Sequence, residues 1–251
     1  MYKIISVHSF RGGTGKSNTT ANIALALAEQ GKRVGVIDTD IQSPGIHVLF
    51  GLTVESMQHA LNDYLWGKAE IKDVASDLTQ SLGEGLPGRV FLVPSSIKAG
   101  EIARVVREGY DVGMLNDGFH DLVEQLDLDV LIIDTHPGLN EETLLSIAVS
   151  DALAIVMRPD QQDFQGTGVT IEVARKLDVP RMVLVVNKVP LVFNEDEVRT
   201  RVETTYSCPV AAVIPHSDEM MTLASEGIFV QRYPDHPITQ RFRQLATALI
   251  E

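Results

Sequence analysis

Seven consecutive residues, Arg11-Gly12-Gly13-Thr14-Gly15-Lys16-Ser17, bring together glycines, a lysine and a hydroxyl, the groups from which a phosphate site is made. Glycines reach positive φ without steric penalty, so successive backbone N–H groups can turn inward on an anion. Where a helix starts at the same place, its N-terminus contributes about half a positive charge. In such a cradle, expected to face solvent, Lys16 lies on the β- and γ-phosphates and Ser17 on magnesium. Gly12, Gly13, Thr14 and Gly15 supply the enclosing backbone. One position departs from the general spacing G-x-x-x-x-G-K-[ST]: Phe10 stands at the first glycine. The competing reading is a glycine-rich turn with an accidental lysine. The apolar run before it (Ile4, Ile5, Val7) and the helix-like segment over 18 to 30 argue against that.

Acids stand where other apolar runs end. Asp134 follows Leu131-Ile132-Ile133, the arrangement in which a strand-end carboxylate orients a magnesium-bound water. Asp38 and Asp40 emerge from a second run, and paired carboxylates there are costly unless a cation or hydrogen bonds compensate them. They read alternatively as an Asp-rich turn capping the next helix. Asn187 closes a third run, and a side-chain amide can both donate to and accept from a nucleobase edge. The guanine-reading pattern Asn-Lys-x-Asp is incomplete, because Pro190 takes the aspartate position. The seven histidines are scattered with no i, i+4 pair beside an acid, which points to no metal site beyond magnesium.

Apolar runs at about 3 to 8, 33 to 38, 90 to 94, 129 to 133, 152 to 157, 181 to 186 and 209 to 214 alternate with helix-periodic or polar segments. Strands apolar throughout, separated by helices, imply an α/β fold with a mostly parallel sheet flanked by helices on both faces. Ligands of such sheets bind outside the carboxyl ends of the strands, where every motif above falls. Leu115, Phe119, Leu122 and Leu126 mark one covering helix, Val169, Val173 and Leu177 another. Ile238, Phe242, Leu245 and Leu249 stripe a last helix, read as a core-packing face in preference to a membrane face.

The chain has 251 residues and no Ser/Gly/Pro-rich linker, so residues 1–251 are expected to form a single domain. Lys and Arg total 21 against 34 Asp and Glu, a net charge of -13 that disfavours sequence-blind DNA binding. One cysteine, Cys208, cannot form an internal disulfide, and no signal region opens the chain. A cytoplasmic protein is expected.

The motifs resemble those of the MinD/ParA family of P-loop ATPases, whose deviant Walker A motif reads Lys-Gly-Gly-x-Gly-Lys-[ST] and dispenses with the first glycine. The resemblance runs over nearly the whole chain and implies ATP and Mg2+ as cofactors. It also implies a nucleotide-sandwich homodimer in which the first cation, here Arg11, reaches the partner's phosphates. Arginine keeps the charge but replaces a point charge by a planar fork. By the same resemblance Asp38 belongs to the magnesium shell with Ser17 and Asp134, Asp40 positions the attacking water, and Asn187 and the late loop at Pro215 lie against adenine. Asn18 stands where the family places Thr or Ser near the α-phosphate. Asp160 matches an acid near the partner's nucleoside, or is a solvated loop acid. His136 falls in a switch that senses the γ-phosphate; it is read as a solvent-facing switch residue or a contact at the helix start, and not as a general base. Membrane-binding members carry a basic amphipathic tail, which is not expected here.

Three functions follow. The leading one is an ATPase switch that positions or regulates a cellular structure, hydrolysing slowly under the control of a protein regulator or cargo. A second is a partition factor whose ATP dimer binds DNA non-specifically through Arg175, Lys176, Arg181, Arg199, Arg201, Arg241 and Arg243. The third, suggested by Arg11 and Asn18, is a nucleotide-held scaffold with negligible turnover. Iron–sulfur branches of the superfamily use paired cysteines, which this chain lacks.

Overall fold

The computed structural model describes residues 2–251. Its strands are β1 (Lys3–His8), β2 (Arg33–Asp38), β3 (Ser76–Asp77), β4 (Arg89–Val93), β5 (Val130–Asp134), β6 (Ala152–Met157), β7 (Arg181–Val189) and β8 (Val210–Pro215). They form one sheet in the order β3-β4-β2-β5-β1-β6-β7-β8. Every pairing is parallel except β3 against β4. Parallel neighbours need long crossovers, and the helices between the apolar runs supply them. The mostly parallel, helix-covered sheet expected from the sequence is the one observed. β3 was not expected, since two polar residues carry no apolar signal. β7 runs past 186 to Val189 and so carries Asn187 within the strand.

Side chains alternate between the two faces of each strand. On one face α1 (Lys16–Glu29) and the helix Pro237–Ile250 bury Ile5, Val36 and Ile132 together with Phe242 and Leu245. On the other, the helix Gly113–Leu126 covers Ile4, Ile37, Leu131 and Ile133, and the helices Gln161–Lys176 and Glu195–Tyr206 cover Leu153, Ile155, Leu184 and Val186. Ile238, Phe242, Leu245 and Leu249 all belong to the core on the α1 face. The helix Gln161–Lys176 departs from its expected face: Val169 is 46% exposed, while Gly166, Thr167, Thr170, Ile171 and Ala174 are buried. Small residues let that helix approach closely. A Cβ on Gly166 would run into the Phe10 ring, so the residue that replaces the usual first glycine is seated against it.

Both sheet edges are blunted. β3 is two residues long. Along β8, Val210 N–H donates to Glu203 Oε1 at 2.9 Å, and Arg199 and Arg241 donate to the carbonyls of Val210 and Val213. Among the described residues no helix is long and apolar enough to cross a membrane.

Candidate active site

β1 ends under the glycine-rich loop, and α1 begins at Lys16 after Gly15, whose φ of 97° is the left-handed conformation that favours glycine. β2 and β5 are neighbours with Asp38 and Asp134 in register, so the two acids lie side by side beneath the loop. Asp134 is saturated: Ser17 Oγ donates to Oδ2 and Thr20 Oγ1 to Oδ1, each at 2.7 Å, and Lys16 Nζ lies 3.0 Å from Oδ1. The loop faces solvent at Gly12 and Gly13, as expected, whereas Lys16 is only 7% exposed. It is folded onto the carboxylate because an acid buried to 1% exposure needs a counter-charge. Thr20 was not foreseen, although it stands three residues after Ser17 and therefore on the same helical face.

Asp38 is fully buried and poorly compensated. Its Oδ1 accepts the Asp40 N–H at 3.0 Å, and its Oδ2 has no partner. Burial first, then the Asp134 charge, raises its pKa well above the ordinary carboxylate range, with Lys16 opposing. Asp40 is oriented by His136, whose Nδ1 lies 2.6 Å from Asp40 Oδ1. His136 is thus no solvent-facing residue; the hydrogen bond to Asp40 raises its pKa against the opposing effect of burial. His8, at the end of β1, pairs its Nδ1 with Thr135 Oγ1 at 2.8 Å. Burial, then Lys16 and His136, pushes its pKa down to about 3, so it remains neutral at physiological pH.

β7 props the loop from the other side. Asn187 Nδ2 donates to Thr14 O at 2.8 Å and Lys188 Nζ to Gly13 O at 2.9 Å. A Cβ on Gly15 would collide with the Asn187 amide. One of the two amide protons of Asn187 is therefore committed to holding the cradle, and its Oδ1 accepts the Lys188 N–H at 2.8 Å. Pro215 is in register with Val189 at the same end of the sheet. Asn18 lies in the first turn of α1, half-buried. Gly12 and Gly13 face open space, as a backbone cradle requires.

Arg11 lies at the rim, apart from this floor. Its terminal nitrogens meet Asp160 Oδ2 at 3.1 Å and Gln162, and its Nε lies 3.0 Å from Asp163 Oδ1, an ion pair without hydrogen-bond alignment. Arg158 binds the same acids, at 3.1 Å to Asp160 and 3.2 Å to Asp163. Arg11 is therefore engaged within its own chain. Asp160, 43% exposed, is the N-cap of the helix Gln161–Lys176, accepting from Asp163 N–H at 3.0 Å.

The donor set fits a nucleotide with magnesium. Asp38 offers an orphaned carboxylate oxygen, and the loop offers an unpartnered Thr14 hydroxyl and open backbone at Gly12 and Gly13. Among the described residues no three acids, histidines or cysteines form an all-protein metal cage. Magnesium is commonly held instead by one or two carboxylates together with substrate phosphates.

Comparison with known proteins bears on this geometry. A family model described as an AAA domain matches residues 2–180. An uncharacterised ATP-binding protein of Methanocaldococcus jannaschii is 33% identical over 247 residues, covering 98% of this chain and 87% of the relative. An iron–sulfur cluster carrier protein of Pseudomonas fragi is 28% identical over 260 residues, covering 97% of this chain and 83% of the relative. The septum site-determining protein MinD complexed with Mg-ADP, from Pyrococcus horikoshii, shares the fold with a TM-score of 0.81 at 22% identity, over 99% of this chain and 96% of that one. With this cradle and these matches, the chain belongs to the AAA domain family, and its fold is that of the MinD protein.

Proposed function

We propose that residues 1–251 act as one domain that binds ATP with magnesium, closes into a nucleotide-sandwich homodimer and hydrolyses ATP slowly, as a switch that positions or regulates a cellular structure. The observation that carries this reading is the register of Asp38 beside Asp134 beneath the glycine cradle, one acid saturated and the other left with a buried, unpartnered oxygen. Backbone of Gly12 to Gly15 and Lys16 would hold the phosphates, Asn187 and Pro215 would flank the base, and Ser17, Asp38 and Asp134 would hold the metal. Bound magnesium would neutralise charge across the phosphates. Asp40 would orient the attacking water, and Arg11 would act in trans across the dimer. Such sites work mainly by positioning and electrostatics. A regulatory or cargo protein would set the rate.

The DNA-binding reading is weaker than the sequence allowed. Arg175, Arg199, Arg241 and Arg243 are committed to Tyr206 O, Val210 O, Glu195 and Glu29 of their own chain. A cluster-carrier role needs several thiolates, whereas Cys208 is the sole cysteine and is buried. The test is Asp40→Ala: ATP binding is retained, the ATP-bound dimer accumulates by light scattering, and phosphate release falls by about 10² to 10³. Unchanged phosphate release would remove Asp40 from the mechanism, and a parent protein without magnesium-dependent turnover would leave only the scaffold reading.

A further inference from the structure

His136 stands two residues beyond Asp134 and Asp40 two residues beyond Asp38, on adjacent strands whose last acids are in register. The two side chains close a rung across the strand ends, Nδ1 to Oδ1 at 2.6 Å, with the imidazole 23% and the carboxylate 13% exposed. An ionised carboxylate only accepts, so Nδ1 carries the proton. Among the described residues the one other donor to this oxygen is Ser43 N–H, at a weaker 3.2 Å and shared with the Asp40 carbonyl. Both donors fall on Oδ1. No protein donor among the described residues takes Oδ2.

His136 is itself anchored. Its carbonyl accepts from Thr143 Oγ1 at 3.1 Å, tying it to the helix Glu141–Ala148. Its ring therefore has a fixed base from which to hold Asp40. A carboxylate rotates about two bonds, and Ser43 alone would restrain it loosely.

We infer that His136 is a positioning residue for ATP hydrolysis: its Nδ1–H pins Asp40 Oδ1 and thereby aims Oδ2 at the attacking water. The inference rests on the hydrolytic reading above. It gives the rung a role distinct from acid–base catalysis, since no proton leaves Nδ1, and it lets whatever shifts the end of β5 also shift the carboxylate that serves the water.

The test compares four proteins, the parent, His136→Ala, His136→Asn and Asp40→Asn, together with the His136→Ala/Asp40→Asn double variant. Misplacing a catalytic group by about 1 Å can reduce rate by about 10²-fold, so His136→Ala should lower kcat by that order while KM changes by less than about twofold. His136→Asn, whose amide nitrogen falls close to the position of Nδ1, should recover most of the loss. The double variant should be no slower than Asp40→Asn. Independently of turnover, 15N-labelled histidine in the nucleotide-free protein should show a hydrogen-bonded Nδ1–H resonance that shifts in Asp40→Asn. A hydrolysing parent whose kcat is indifferent to His136→Ala, or fully additive losses in the double variant, would overturn the inference alone. A parent that hydrolyses no ATP while the imidazole resonance still tracks Asp40 would bring down the hydrolytic reading, and the inference with it.

Discussion

Floor and rim of the cradle set acids against cations in opposite ways. On the floor, Asp38 and Asp134 are both nearly inaccessible and have one close cation between them, Lys16, which sits on Asp134. At the rim, Asp160 and Asp163 each meet two guanidinium groups, those of Arg11 and Arg158. The rim is charge-balanced, with Arg11 33% exposed; the floor keeps a carboxylate that its surroundings do not settle. Half-exposed ion pairs are worth roughly 0.2–1 kcal/mol each, whereas removing one partner of a buried pair costs about 3–5 kcal/mol. At the rim the Arg11–Asp160 pair is partly exposed, and Asp163, only 2% exposed, keeps the Arg158 N–H and guanidinium if Arg11 leaves, whereas the floor has no second cation to take the place of Lys16. Arg11 can serve a neighbouring subunit only by leaving its own acids, and the energies allow that.

Arg11→Ala should give the largest effect. An arginine delivered in trans to a transferring phosphoryl group is worth on the order of 10³ to 10⁵ in rate. The variant should bind ATP as a monomer and lose ATP-dependent dimerisation and hydrolysis, with Arg11→Lys retaining much of each. Light scattering with a slowly hydrolysed analogue, beside a phosphate-release assay, reads both. Parent-like dimerisation and turnover in the alanine variant would reduce the rim to a surface ion-pair network. Lys16→Ala probes the floor: losing a buried charged partner of phosphate costs about 2–5 kcal/mol, so calorimetry should show magnesium-ATP binding weakened by at least tenfold. Removing this buried charge should also cost about 3–5 kcal/mol of stability, so binding is read below the lowered Tm, where Ser17 and Thr20 still hold Asp134. Tight binding in this variant would refute the cradle.

The smallest effect concerns Asp38. Its folded pKa is raised by burial and by Asp134, so the folded protein holds this proton more tightly than the unfolded chain. Its contribution is most favourable below the ordinary carboxylate pKa of about 3.9 and declines as pH rises toward the folded value, above which the penalty is constant. Asp38→Asn should remove that penalty, flatten the pH dependence and raise Tm near neutral pH in nucleotide-free protein, where each 1 kcal/mol is about 2–4 °C at this size. A lower Tm across the same range would show that the floor has no unsettled charge.

The sheet was readable because each buried strand writes itself as an apolar run, and the cradle because its residues are contiguous. What escaped depends on distant partners. Nothing near Arg11 announces that Asp160 and Asp163 will receive it, and nothing near His136 announces Asp40, 96 residues away. The burial of Lys16 was hidden for the same reason, since its partner lies on β5. On the helix Gln161–Lys176 the valines drew the eye, yet its glycine, threonines and alanine face the sheet, because close approach there rewards small volume over hydrophobicity.

The arginines along β8 bear on how copies of this protein can meet. An edge strand with free carbonyls and N–H groups is a template for another strand, and through it for fibrils or swapped sheets. Here Val210 and Val213 have their carbonyls occupied by Arg199 and Arg241, and the Val210 N–H is taken by Glu203. The opposite margin offers two residues. Lateral polymerisation is thereby discouraged at both margins, and any self-association is steered away from open-ended growth toward closed contacts made by loops and helix faces.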